Sequence, residues 1–455
     1  MDIEELLQKN PNEIVNEVRS KKKSIDHQTY LDQYDPEQHE IHNKVTRPKK
    51  TIKTDDGGTR FVDVARLSIP FQQIIVDRAA AFLIGEGITL VSQPDTDQEN
   101  TLYDMMKKTW FENKLDYLSK EMARIWMSET EVAELWHFRE KPETWAGMGL
   151  SDSVKMAMSV QVLAHSKGDS LYPYFDERGD MIAFGRGYKV NKEDRFDLYT
   201  AEKITRFTKK SNWIGEEEKN PLGKIPIIYY SRQRTEWAHV QHLIERFETM
   251  LSNFADSNDY FASPMVKIKG EVKGFAQKGE QGKLITLEEN ADADYLTWDQ
   301  APESIRLEKE TLQELIFSMT QTPDISFAQM KGIGNITGIA LKLMFLDADL
   351  KAKKHLENFG QGMQRRINLL KKGITIVNTA TEQAAGLQIE PEFRFYLPEN
   401  EQELINMLVT AAGNRAIMSR KTAVSFNPYV LDVEKELENI NEDEAGEFGN
   451  LMEGV

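Results

Sequence analysis

The chain contains no cysteine, which excludes disulfide stapling, thiolate zinc sites and cysteine nucleophiles together. It also has no apolar run approaching the ~20 residues of a membrane-spanning helix and no basic-then-apolar N-terminal signal, so neither membrane insertion nor secretion is expected. Assembly in a cytoplasm follows as the default. An excess of cations is missing too. Asp and Glu number 74 against 57 Lys and Arg, a formal charge of −17. Proteins that grip nucleic acid cluster cations to release counterions from phosphates. Any duplex partner is therefore expected to be held loosely, able to slide along an acidic wall.

Enzymatic signatures are absent as well. Gly274 and Gly279 have the spacing of a phosphate-cradling loop, but Glu280 and Gln281 stand where Lys and Ser or Thr are required. Gly332, Gly334 and Gly338 make GxGxxxG after a helix, not GxGxxG after a strand. Carboxylate groups such as Asp347 with Asp349, or Glu216 to Glu218, are common in an acidic chain and single out no general acid and base. His39 and His42 form an HxxH without a third ligand nearby. No catalytic, cofactor or metal residue is assigned.

What remains is a chain of 455 residues, 40% hydrophobic, long enough for two or three packed regions. Residues 1 to 50 are polar, broken by Pro11, Pro36 and Pro48, with short helices expected over Glu4–Lys9 and Pro11–Tyr34. A helix capped by Ser68 is expected to run to Leu83, a strand over Ile88–Val91, and one long helix over Leu102–Met127. Short strands follow at Val132–Phe138, Val154–Ala164, Tyr172–Phe175, Met181–Phe184, Phe196–Tyr199 and Ile204–Thr208. At Thr235 the period becomes helical, with Trp237, Val240, Ile244, Phe247, Leu251, Phe254 and Phe261 on one stripe. Pro264 ends it. A compact β insert follows, carrying Lys267, Lys269, Lys273, Lys278 and Lys283, and helix resumes after Pro302 until Thr322 and Pro323.

A loop from Thr322 to Asn335 leads into the longest periodic run, Thr337 to Lys372. Its apolar residues Ile339, Leu343, Leu346, Leu350, Leu356, Met363, Ile367 and Leu370 recur at helical spacing. Such a helix would extend ~50 Å. Gly360 and Gly362 are expected to bend it and Gly373 to stop it. Beyond it, a strand is expected at Phe393–Leu397 and a helix over Glu399–Ala412. Two further helices are expected, capped by Ser419 and Asp432, before a fraying acidic tail, Asn441 to Val455.

The stretch TPDISFAQMKGIGNITGIALKLMFLDADLKAKK, with Thr322, Pro323, Asp324, Gly338, Ala340 and Leu341, resembles the signature of tailed-phage portal proteins of the SPP1-like group. RFVDVARLSIPFQQIIVDRAAAFLIGEGIT (Arg60 to Thr89) and SRKTAVSFNPYVLDVEKELE (Ser419 to Glu438) extend the resemblance in the same order over most of the chain. Gly332 to Thr337 depart from it, replacing an Asn- and Ser-rich approach. The resemblance implies an α+β fold. Residues 1–234 would form an N-terminal and wing α/β domain, 235–262 a stem helix, 263–300 a small β-rich clip and 301–321 a second stem helix. Residues 322–336 would be a tunnel loop, 337–373 a long kinked helix, 374–398 a return to the wing, and 399–455 a helical crown and tail.

The resemblance further implies a virion protein without enzymatic activity or cofactor. About twelve copies would close a ring at one capsid vertex, through which double-stranded DNA is packaged and ejected. Partners would be the terminase motor, head-tail adaptors, and the major capsid and scaffold proteins. In the tunnel loop, Gln329, Lys331 and Asn335 would face phosphates while Phe327 and Met330 pack between subunits. The five clip lysines would offer a docking face, although lysines guarding solvated strand edges explain them as well. Two rival readings are another minor head or adaptor protein and a nucleotide- or phosphate-using enzyme, the latter requiring a concave site with convergent titratable residues.

Overall fold

The computed structural model describes residues 3–22, 26–53, 57–151, 153–261, 266–269, 272–274, 286–287, 292–295, 302–323, 343–393, 401–413, 417–427, 429–430, 433 and 435–441. The fold is α+β and divides into two compact units. The larger combines Met1–Thr322 with Lys351–Phe395; the smaller combines Pro323–Leu350 with Tyr396–Val455.

The larger unit begins with three helices, α1 (Ile3–Leu7), α2 (Pro11–Lys21) and α3 (His27–Tyr34), and a small hairpin of β1 (Lys50–Lys53) and β2 (Thr59–Val62). Helix α4 (Phe71–Leu83) starts at Pro70, not at Ser68, whose hydroxyl is instead 3.0 Å from His42 Nε2. Strand β3 (Ile88–Val91) forms where expected. The single helix expected over 102–127 is two, α5 (Asp97–Glu112) and α6 (Leu115–Glu129). Thr96 and Glu99 close a reciprocal capping box at the start of α5. Its end is set by Asn113, whose amide donates to the carbonyls of Thr109 and Met158, and by Lys114, which turns the chain at φ 51°. Apolar periodicity runs through both helices because each buries a stripe, and so it conceals the corner between them.

Strands β4 (Glu131–Glu140), β5 (Met156–Leu163), β6 (Ser170–Phe175), β7 (Met181–Val190), β8 (Glu193–Tyr199), β9 (Lys203–Lys209), β10 (Trp213–Lys219) and β11 (Ile227–Ser231) build two antiparallel sheets. One is five-stranded in the order β10-β9-β8-β7-β6, and the other is three-stranded, β11-β4-β5. Strands β10 and β11 were not expected. Glu216, Glu217 and Glu218 mask β10, yet they suit a solvated edge. Lys203 reaches Glu217 at 2.9 Å and Arg206 reaches Glu218 at 2.7 Å across the β9–β10 pair. Helices α1 and α2 cover the five-stranded sheet, burying Leu6, Ile14, Val15 and Val18 against Tyr174, Phe196, Phe207 and Trp213.

Helical periodicity from Thr235 first serves a turn. Glu236 N–H donates to the Met127 carbonyl, and Trp237 and Val240 are fully buried before helix α7 (Gln241–Phe261) begins. Short pairs follow, β12 (Val266–Lys269) with β15 (Asp292–Tyr295), and β13 (Val272–Gly274) with β14 (Thr286–Leu287). Helix α8 (Pro302–Met319) then packs beside α7, and Phe71 meets the rings of Phe247 and Phe317 edge-on.

A 32-residue helix, Leu346–Val377, follows. It runs straight through Gly373, which therefore does not stop it. Two of the glycines permit close approach: a Cβ on Gly362 would lie 2.0 Å from the Tyr230 ring, and one on Gly373 would lie 1.8 Å from Met158 Sδ. Gly360 faces only Leu356, at an ordinary 3.4 Å. Strand β16 (Glu390–Phe393) then pairs antiparallel with β3, starting before the expected Phe393–Leu397. In the smaller unit, a helix covers Glu401–Ala412, and Ser419 caps Arg420–Ser425 by accepting from the Thr422 N–H at 3.1 Å.

Candidate functional site at the root of the long helix

The segment that leaves the larger unit after Thr322 returns at Lys351, and the two ends are tied together. Helix α8 finishes with Thr322 N–H bonded to the Phe317 carbonyl at 2.9 Å, and the Lys351 ammonium donates to the carbonyl of Thr320. The same ammonium lies 2.5 Å from Glu236, in the turn between β11 and α7. Two more side chains converge on that carboxylate: Arg232 at 2.5 Å, and His355, one helical turn beyond Lys351, at 3.1 Å. Arg232 also lies over the Trp126 ring, which His355 and Phe359 flank. The Glu236 side chain is only 2% exposed. Burial opposes its ionisation, but the His355 hydrogen bond and the Lys351 and Arg232 charges hold its carboxyl well below the usual range. Burial in turn lowers Lys351 below the usual ammonium value.

Four turns along, Arg366 and Glu134 are both fully buried. The guanidinium donates from Nε to both Glu134 oxygens at 2.9 Å, and from Nη1 to Ser119 Oγ at 2.7 Å. Tyr230 and Trp136 complete the carboxylate's shell at 2.7 and 2.8 Å. Burial, with the Glu134 charge beside it, pushes the Tyr230 phenol well above its ordinary value. Both networks consist of saturated charge-assisted hydrogen bonds. Such a site holds a helix in one position and offers no group poised to exchange a proton or attack a substrate.

The loop residues Phe327, Gln329, Met330, Lys331 and Asn335 lie outside the described residues, as do Lys278 and Lys283. Lys267 and Lys269 fall on β12 opposite Asp294 and Asp292 in the β12–β15 register, and Lys273 lies on β13. Acidic residues thus stand across from two of the five lysines. His39 and His42 do not converge: His39 bonds Glu248 at 2.7 Å and the Gln33 carbonyl at 2.9 Å, while His42 bonds Ser68. Among the described residues, an open recess follows the β9–β10 edge, lined by Glu202, Lys203, Glu217 and Glu218. Lys203 and Glu217 pair with each other there, and Glu218 pairs with Arg206. Glu236, Lys351, His355, Glu134 and Arg366 were not anticipated. The only sequence signal for them is Lys351 and His355 at i, i+4 on a face otherwise flanked by apolar residues.

The chain is 23% identical to the portal protein of Bacillus phage SPP1 over 467 residues, covering 94% of this chain and 88% of that protein. Among solved structures it is similar to a chain from the neck of an empty gene transfer agent particle, at 11% identity and a TM-score of 0.43 over 77% of this chain and 87% of that one. A chain from the neck of the native particle gives the same identity and score over 79% and 88%. Residues 20–448 match the family described as phage portal protein, SPP1 Gp6-like, and the chain belongs to that family.

Proposed function

We propose that about twelve copies of this chain close into a ring at one vertex of a phage capsid, enclosing a channel for double-stranded DNA during packaging and ejection. One observation supports the self-association: α8 has more apolar surface than the described residues cover. Leu312, Ile316 and Phe317 are buried, but Leu307 is 66% and Met319 58% exposed, with Leu315 also outside. An apolar face of this kind on a long helix is completed by a neighbouring copy. The net charge of −17 suits a channel that lets a duplex slide.

In this reading α7 and α8 are the stem, the β12–β15 region is the clip, and 322–336 is the loop that meets DNA through Gln329, Lys331 and Asn335. Phe327 and Met330 seat that loop between subunits. The clip docks a separate terminase, which hydrolyses ATP, and later a head-completion adaptor; this chain does no bond chemistry. Its place is the virion, reached by assembly in the host cytoplasm with capsid and scaffold proteins.

Light scattering and negative-stain imaging of the purified protein test the ring. Twelve copies of the 52.3 kDa chain weigh about 0.63 MDa and should show a central hole. Leu307→Asp with Leu315→Asp should shift the population toward single chains; a wild-type monomer of 52.3 kDa would refute the proposal. Lys331→Glu, in rings that still form, should slow DNA packaging into proheads, and unchanged packaging would remove the phosphate contact.

A further inference from the structure

A second cluster of titratable side chains lies apart from the root of the long helix, and the portal reading makes no use of it. His27 opens α3, Glu131 is the first residue of β4, and His165 lies in the turn after β5. Each offers a ligand atom, and the three atoms lie within 4.8 Å of one another. The two imidazoles stack with centroids 3.6 Å apart and planes 14° off parallel. His165 Nε2 is 2.5 Å from Glu131 Oε1. His27 Nε2 approaches the same oxygen at 3.3 Å, and it is buried without a hydrogen-bond partner.

The other ring nitrogen of His27 explains that orphan. His27 Nδ1 lies 3.1 Å from the Glu129 carbonyl, which can only accept, so Nδ1 carries the proton. In the neutral ring Nε2 then presents a lone pair to a carboxylate oxygen. Nε2 is therefore the ring nitrogen turned toward the Glu131 oxygen, placed either to donate to it from an imidazolium or to ligate an ion beside it. An imidazole whose Nδ1–H is held by a backbone carbonyl while Nε2 points at other ligands is the arrangement metal-bound histidines take. The carboxylate is oriented in the same way: the Tyr229 hydroxyl donates to Oε2 at 2.6 Å, leaving Oε1 toward the imidazoles.

We propose that His27, His165 and Glu131 bind one transition-metal ion, with Zn2+ the best match and the fourth position open to water. Bonds of 2.0–2.1 Å around a tetrahedral ion place ligand atoms about 3.3 Å apart. The His27–Glu131 separation already has that value, whereas the His165 ring, stacked nearly parallel on His27, must turn out of the stack so that its Nε2 lone pair meets the same ion. Two imidazoles and a carboxylate, without thiolate, suit Zn2+ and not Ca2+ or Mg2+. In the metal-free protein Lys22 supplies the positive charge: its ammonium bonds Glu131 Oε1, and it also donates to the Leu171 carbonyl at 2.8 Å, a partner it keeps if an ion displaces it from the carboxylate. The ion would join α3 to strands far away in sequence and stabilise the folded chain by mass action.

Calorimetric titration of the untagged full-length protein with Zn2+ after EDTA dialysis tests this, with Co2+ absorption as a probe of tetrahedral geometry. One equivalent should bind, Co2+ should give the intense visible bands of a four-coordinate site, and Zn2+ should raise the melting temperature. His27→Gln and His165→Gln should each weaken binding by roughly tenfold or more. Lys22→Met should tighten binding, because the competing ammonium is gone; a plain salt-bridge cluster predicts no metal response from this variant. Circular dichroism confirms that each variant is folded. The proposal is overturned if folded wild type and Lys22→Met both take up no stoichiometric Zn2+, or if uptake is unchanged in the two histidine variants.

Discussion

Replacing Gly362 by Ala inside the long helix should destabilise the protein, although the same replacement at Gly360, half a turn away, should stabilise it. Both positions are helical, and Ala exceeds Gly by about 1 kcal/mol in a helix interior. At Gly360 nothing opposes this gain, since the new methyl meets Leu356 at 3.4 Å. At Gly362 it would sit 2.0 Å from the ring of Tyr230. That ring cannot yield cheaply. It packs against Phe359 with centroids 5.1 Å apart, and its hydroxyl donates to the buried Glu134 carboxylate at 2.7 Å. Overpacking costs about 1–3 kcal/mol, and a disturbed hydrogen bond to a charged acceptor costs about 1.5–3. After the propensity gain, Gly362→Ala should lose roughly 2–4 kcal/mol, while Gly360→Ala gains up to about 1. Urea unfolding at one fixed protein concentration reads both, because self-association shifts midpoints. Equal midpoints for the two variants would show that Gly362 is a hinge and not a contact.

The remaining predictions concern the charged networks. Arg366→Met leaves the Glu134 carboxylate buried with only Tyr230 and Trp136 as donors, and should cost about 3–5 kcal/mol. Adding Glu134→Leu should recover part of that loss, whereas additive losses in the double-mutant cycle would show that the two groups do not act as a pair. Glu236, with its folded pKa depressed, contributes stability that is present above the unfolded value of about 4.3 and lost as pH falls through and below it. Glu236→Gln should therefore be less stable at neutral pH and should lose less between neutral and strongly acidic pH; parallel stability–pH curves would contradict the network. His39 has the opposite sign, since its bond to Glu248 outweighs burial and raises it. Its stabilisation is complete below about pH 6.5 and fades as pH rises through the raised value, so His39→Gln should flatten stability over that alkaline side, as denaturation at several pH values would report.

Much of the fold is legible because periodicity reports burial directly. The stripes of Ile75 and Leu83, of Ile244 and Phe247, and of Met363, Ile367 and Leu370 mark helices that pack where expected. Ser419 shows its role openly, because a capping hydroxyl acts within three residues of itself. The misplaced features have non-local causes. Lys114 breaks one helix into two, yet a lysine carries no turn signal. Gly373 looks like a stop until Met158, far off in sequence, occupies the space that its missing side chain leaves, as Tyr230 does at Gly362. The charged networks were hidden for the same reason. Glu134 and Arg366 are separated by 232 residues, and Lys351 and Glu236 resemble any other charges in an acidic chain until the fold buries them together.

The pairing of β16 with β3 also constrains how the chain is made. A ribosome releases Ile88–Val91 long before Glu390–Phe393, so for most of synthesis that strand has no partner, and the long helix whose Arg366 neutralises Glu134 has not emerged. The larger unit therefore closes only when its last segment is exposed, tens of seconds after its first at about 5–20 residues per second. Nascent chains therefore reach their final form late, when translation is nearly finished.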